Sequence, residues 1–127
     1  MKIVVFIKQV LDNTKLKFAD DKPITDGVPM MMNPFDEYAL ETALRLKEQS
    51  GGDSSVTVLT LGAANARDII KKAIAAGADE AFLLSDPAFN DGDSTAVAYA
   101  LAAAVKSLTP DFKVLVFGQM ALDDAAA

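Results

Sequence analysis

Four short runs of uninterrupted apolar residues recur along the chain, and between them the apolar positions switch to helical spacing. Lys2 to Ile7 (KIVVFI), Val56 to Leu61 (VTVLTL), Ala81 to Leu84 (AFLL) and Val114 to Phe117 (VLVF) read as strands covered on both faces. The first intervening helix is predicted from Asn33 to about Gln49, with Phe35, Ala39, Ala43 and Leu46 on one face and a stop at Gly51-Gly52. The second runs from about Ala64 to Ala76 and ends at Gly77. The third runs from about Ser94 to Leu108, with Asp93 or Ser94 as its cap and an Ala-rich body suited to close packing on a sheet. This βαβαβαβ order predicts one α/β domain over residues 1–127: a Rossmann-like parallel sheet with helices on both faces and strand order 3-2-1-4.

Two segments exceed that minimal plan. The chain between the first strand and the first helix is far longer than the ~2–6 residues of an ordinary βα loop. Within it Leu16 to Phe18 and Ile24 to Thr25 can pair as a small hairpin, with Asp20-Asp21 near its turn and Asp26-Gly27 closing it. An insertion at that end of the sheet suits a lid or a partner surface. The last apolar run would be an edge strand with no successor to cover it, so the sequence reads as a fragment of a longer polypeptide.

The start of the first helix is unusually explicit. Asn33 suits the N-cap and Pro34 suits N1, where its missing N–H costs nothing. Asp36 at N3, followed by Glu37, sets negative charge beside the positive end of the helix dipole.

Composition narrows the chemistry. The chain is 51% hydrophobic and 24% charged, with a formal net charge of −6 and no Lys/Arg cluster, which argues against a nucleic-acid partner. It has neither Cys nor His, so the usual zinc sites and Ser-His or Cys-His nucleophile systems cannot be built. No apolar run approaches bilayer length and no signal sequence precedes the first strand, so a cytoplasmic domain is expected. Adjacent acids at Asp20-Asp21, Asp91/Asp93 and Asp123-Asp124 read as solvated turn residues, and no metal site or catalytic residue is assigned. Any chemistry then belongs to a bound cofactor.

The expected topology has a switch point between its first and fourth strands, and ligands settle there at the carboxyl ends of the strands. Phe6, Ile7 and Lys8, the helix start Asn33 to Asp36, Leu61 to Ala63, and Phe117 to Asp124 converge on it. Walker A and G-x-G-x-x-G phosphate motifs are both missing. Asp36 and Glu37 make the first helix a poor seat for phosphate, so a base or ribose is the better guest. Phe35 can serve the core or offer its ring. Lys8 can be solvated or meet an anion or partner.

Several segments, in order, resemble the β subunit of electron transfer flavoprotein. They are Lys2 to Val10 (KIVVFIKQV), Asp26-Gly27, Asn33 to Glu41 (NPFDEYALE), Ala43 to Glu48 (ALRLKE), Val56 to Leu59 (VTVL), Ala73 to Asp79 (AIAAGAD), Ser85 to Phe89 (SDPAF) and Gly118 to Asp123 (GQMALD). The resemblance covers the whole chain but only the first half of such a subunit. It implies a flavin electron carrier rather than a stand-alone enzyme. Such a subunit binds AMP, or FAD in electron-bifurcating relatives, and pairs with an α subunit carrying a redox FAD. Electrons pass from acyl-CoA or other dehydrogenases to a quinone-linked acceptor. Carried over by motif, the nucleotide contacts fall on Phe6, Lys8, Asn33, Pro34, Phe35, Asp36, Leu61, Gly118, Gln119, Met120, Ala121, Leu122 and Asp123.

One loop departs from the pattern. Family members usually read Gly-Lys-Gln-Ala-x-Asp where this chain has Gly118-Gln119-Met120-Ala121-Leu122-Asp123, so a basic residue is lost and a thioether replaces an amide. The small, hydroxyl-rich turn that follows in the family, whose amides hold phosphate, does not follow here. The expectation is a site keeping its adenine side and lacking most of its phosphate side. A nucleotide-binding regulatory domain of the universal-stress-protein type is the alternative on the same sheet.

Overall fold

A computed structural model describes residues 1–15, 17–24, 27, 29–62, 66–85 and 94–118. In chain order the elements begin with β1 (Lys2–Phe6), β2 (Gln9–Leu11), a 3-10 turn (Asn13–Lys15), β3 (Lys17–Ala19), β4 (Lys22–Ile24) and β5 (Met30–Met32). They continue with α1 (Pro34–Gln49), β6 (Ser55–Leu61), α2 (Arg67–Ala76), β7 (Glu80–Leu84), α3 (Ser94–Leu108) and β8 (Val114–Val116).

The apolar runs form one parallel sheet in the order β7-β6-β1-β8. Numbering only these strands along the chain, the spatial order is 3-2-1-4. β1 lies between two neighbours and is covered on both faces, which is why Ile3, Val4 and Val5 have no exposed surface. Fully burying each such side chain stabilises the fold by roughly 1.5–3 kcal/mol. Strand alternation divides them between two cores. Ile3, Val5, Val56 and Val58 pack with Ala39, Leu40 and Ala43 of α1 and with Ile69 and Ala73 of α2. On the other face Val4, Phe6 and Leu59 pack against Val105 and Leu101 of α3. The two early crossovers thus cover one face, and α3 carries the chain back over the other.

Helix ends follow the local chemistry. Ser50 N–H reaches Leu46 O at 3.0 Å, and Gly51 then takes φ +95°. Gly77 takes φ +128° where α2 ends, a conformation that side chains rarely adopt. β6 and β7 are joined just beyond. Asp79 N–H donates to Val56 O and Val56 N–H donates back to Asp79 Oδ2, both at 2.8 Å, while Lys47 Nζ sits 2.9 Å from the same carboxylate.

The insertion is more ordered than its sequence suggests. β3 and β4 pair antiparallel with Lys17 opposite Ile24, around Asp20 and Asp21, which take φ 52° and 63°. A two-residue hairpin turn of type I′ requires left-handed residues, and Asp tolerates them. Leu16, Thr25 and Asp26 of the expected hairpin lie outside the described residues. A second ladder, β2 with β5, was not anticipated and pairs Gln9 with Met32, Val10 with Met31 and Leu11 with Met30. Val10 and Met32 are buried, so this base of the ribbon is anchored to the body. Residues 63–65 and 86–93, including the expected helix start at Ala64 and the cap at Asp93, also lie outside the described residues, as do the side-chain contacts of Ser94.

Candidate functional site

β1 and β8 are neighbours, yet α1 follows β1 on one face while α3 precedes β8 on the other. Their carboxyl ends therefore border the crevice where open α/β sheets take ligands. Beyond β1 the chain is stitched directly to the start of α1. Asn33 N–H donates to Lys8 O at 2.8 Å, and Lys8 N–H donates to Asp36 Oδ2 at 2.8 Å. The carbonyl of Asn33 accepts from Asp36 N–H at 2.9 Å and Glu37 N–H at 3.1 Å, opening the helix.

The side chain of Asn33 corrects the expectation drawn from its position. Asn33 is the N-cap residue, but its side chain makes no capping hydrogen bond. It bonds instead to the Asp36 carboxylate. An ionised carboxylate is a stronger partner for its amide than a backbone N–H is for its carbonyl, and the pair is buried together.

Asp36 also accepts from the Gly118 backbone, just beyond β8. One carboxylate thus joins the exits of two neighbouring strands to the mouth of a helix. Burial pushes its pKa up, against the Asn33, Lys8 and Gly118 hydrogen bonds and the Lys8 charge, which pull it down. The close approach explains the glycine. A Cβ at position 118 would collide with Asp36 Oδ1 and lie 2.9 Å from the Phe35 carbonyl carbon and 3.0 Å from Asp36 N.

Of the expected nucleotide contacts, Lys8, Asn33, Asp36 and Gly118 are thus brought into one hydrogen-bonded cluster, with Phe35 beside Gly118. Pro34 opens the helix at N1. Phe6 lies on the α3 face and stacks on Phe117. Leu61 ends β6 at the same edge of the sheet, half-buried opposite Leu84. Gln119, Met120, Ala121, Leu122 and Asp123 lie outside the described residues. Phe117 was expected to converge on the crevice but was not among the contacts carried over by motif. Its signal was register, because Val5 pairs with Val116 and this sets Phe6 level with Phe117.

A separate open groove of about 370 Å³ lies between α1 and α2, lined by Met32, Leu40, Leu44 and Ala76, with exposed Glu37, Glu41 and Lys72. It does not gather the expected contacts. Among the described residues no group of three or more acids could hold a metal ion, and no helix is long and apolar enough to cross a membrane.

Residues 23–127 match the electron transfer flavoprotein domain. The chain belongs to the electron transfer flavoprotein family. It is similar to the electron transfer flavoprotein subunit beta of Megasphaera elsdenii, at 40% identity over all of this chain and 49% of that protein. It is 45% identical to Protein FixA of Azorhizobium caulinodans, over 88% of this chain and 40% of the relative. It is 41% identical to the caffeyl-CoA reductase-Etf complex subunit CarD of Acetobacterium woodii, over all of this chain and 48% of the relative. The chain spans about half the length or less of these curated relatives. Family membership places the chain among electron-transfer flavoproteins, in which flavin and nucleotide association is the common theme.

Proposed function

We propose that this chain forms the nucleotide-holding half of a β-type electron transfer flavoprotein subunit. It binds an adenine nucleotide, AMP or FAD, in the crevice between the ends of β1 and β8. The subunit pairs with an α subunit carrying FAD and works as a cytoplasmic carrier. It passes electrons from acyl-CoA or other dehydrogenases to a quinone-linked acceptor.

The supporting observation is a coincidence of two independent results. The topological switch point falls on Phe6, Lys8, Asn33 to Asp36 and Gly118, the residues the family motifs select. The described residues suit the base and ribose. They offer main-chain groups beside the side-chain-free Gly118, the half-buried ring of Phe35 and the aromatic pair Phe6 and Phe117. They offer phosphate only Lys8, in keeping with a site that holds its adenine side and lacks most of its phosphate side. A bound FAD would supply redox chemistry that no side chain here can perform, whereas AMP would be structural. The residues of this chain bind and orient the nucleotide. A universal-stress-type regulator would use the same sheet, but the family match over residues 23–127 favours the carrier.

The test is purification of the full-length protein with any co-purifying subunit. Flavin absorbance and AMP or FAD released on denaturation are expected. A preparation with neither overturns the reading.

A further inference from the structure

The sheet has two edges, β8 beside the crevice and β7 at the far side. β7 is hydrogen-bonded to β6 and has no second partner strand among the described residues. Such an edge presents a row of unpaired main-chain groups, which proteins usually blunt with lysine, proline or a bulge. β7 carries one charge, at its first residue Glu80, and none over Ala81-Phe82-Leu83-Leu84, all of which are half-buried.

α2 overhangs this edge. It packs on β7, while α1 covers β1 and β6. Ile69 and Ala73 of α2 enter the core, and Lys72 and Ala76 line the groove shared with α1. At ~3.6 residues per turn, Arg67, Ile70, Lys71 and Ile74 therefore fall together on the opposite flank, turned away from α1 and toward the outer edge of β7. Ile74 is 43% exposed, Ile70 is half-buried, and Arg67 and Lys71 are exposed. Neither cation has an ion pair among the described residues, whereas Lys2, Arg45 and Lys47 each pair with an acid. Asp68, the only acid of α2, is exposed and pairs with neither. Arg67 and Lys71 form no run in the sequence; the helix turn makes them neighbours. On a chain of net charge −6 this flank is a local exception.

The geometry points to the β7 edge and the α2 flank as a docking site for an extended, acidic segment of a partner protein, which adds to the sheet as a strand. Main-chain groups of β7 supply the pairing, and the side chains of the added strand alternate between the two faces. One set meets Arg67, Lys71 and Ile74 and is acidic. The other lies on the face that carries Phe82 and is apolar. A second copy of this chain is a poor occupant. Antiparallel pairing of two β7 strands sets both α2 flanks on one face, cation against cation. The assignment is independent of the nucleotide reading above.

The test uses the full-length protein with any co-purifying subunit, and a fluorescent, end-capped peptide alternating glutamate and valine as the probe. Anisotropy at low salt should show saturable binding that weakens as salt rises. Arg67→Glu/Lys71→Glu is expected to lower affinity roughly tenfold. Lys106→Glu, a charge change on α3, should leave it unchanged. Two controls need no variant: the peptide with lysine for glutamate, and the peptide N-methylated along one edge, should not bind. Hydrogen exchange over residues 80–84 should slow when the probe is added. A probe that does not bind, affinity untouched by the charge reversal, or equal binding of either control peptide overturns the site. So do β7 amides that are all fully protected without probe, and self-association that the charge reversal abolishes. Duplex DNA or phosphatidylserine vesicles binding this flank more tightly than the probe would assign it to another partner class and overturn it as well.

Discussion

The carboxylate of Asp36 accepts a hydrogen bond from the main-chain N–H of Lys8 at 2.8 Å, across a sequence separation of 28 residues. The same carboxylate receives the Asn33 side chain and the Gly118 backbone. Removing it in Asp36→Ala leaves these donors buried without their acceptor. Each such loss costs roughly 1–3 kcal/mol, and partial access of water to the Lys8 end reduces the sum. A destabilisation of about 3 kcal/mol is expected in urea denaturation. A loss no larger than that of an ordinary surface substitution would show that the cluster does not hold the strand ends together.

Titration of Asp36 has a definite sign. Burial raises its folded-state pKa above the ordinary 3.8, so the folded chain binds this proton more tightly than the unfolded chain. The stability it contributes is complete below 3.8 and is lost as pH rises through the raised value. Asp79 acts oppositely. The Val56 N–H and Lys47 lower its pKa, so its contribution is present above 3.8 and is lost as pH falls through the depressed value. In Asp36→Asn the first of these slopes should disappear and the second remain. Urea midpoints measured across the acid range for both proteins check this, and parallel profiles would contradict it.

Asn33 separates capping from bridging. If its side chain capped α1, Asn33→Ser would be nearly neutral, since Ser is an equally good cap. Because it bonds to Asp36 instead, Asn33→Ser and Asn33→Ala should lose about the same, on the order of 1.5–3 kcal/mol for a hydrogen bond to a charged group. Thermal unfolding of the two variants side by side decides the matter.

At Gly118 the smallest possible side chain should be enough to disturb the site. The added methyl of Gly118→Ala meets the Asp36 carboxylate, which its hydrogen bonds hold in place, and main-chain atoms of Phe35 and Asp36. Overpacking of this kind costs about 1–3 kcal/mol. Weaker nucleotide binding should accompany the stability loss, because the chain beyond Gly118 must shift away from α1. Differential scanning calorimetry and a nucleotide titration on the same sample read both effects.

The hydroxyl of Thr57 is fully buried in β6 and has no hydrogen-bond partner among the described residues. Valine keeps the branched shape and removes the unsatisfied group. Thr57→Val should therefore stabilise the fold by about 1 kcal/mol, seen as a higher urea midpoint with an unchanged slope. A destabilised variant would mean that the hydroxyl has a partner in solution.

Local patterning carried much of this protein unaided. Continuous β-branched runs suit strands covered on both faces, so Lys2 to Ile7 and Val56 to Leu61 announced a parallel sheet, and α1 stops where Gly51-Gly52 stop it. Short-range signals also marked the Asp20-Asp21 turn. The ladder of β2 with β5 escaped because three-residue strands with Met-Met-Met on one side carry no period, and only Val10 and Met32 docking on the body holds them. Asn33 was legible as a helix start but not as a bridge, because its choice of partner depends on a carboxylate buried by Lys8 and Gly118 from distant parts of the chain. The stack of Phe6 on Phe117 likewise needed the register of β1 with β8, which long-range pairing sets. Sequence by itself determined the strands of the main sheet, the helices between them and their order. Tertiary structure alone decided which side chains at the strand ends hold the scaffold together and which rings stack beside them, because burial and register are properties of contacts that no local pattern contains.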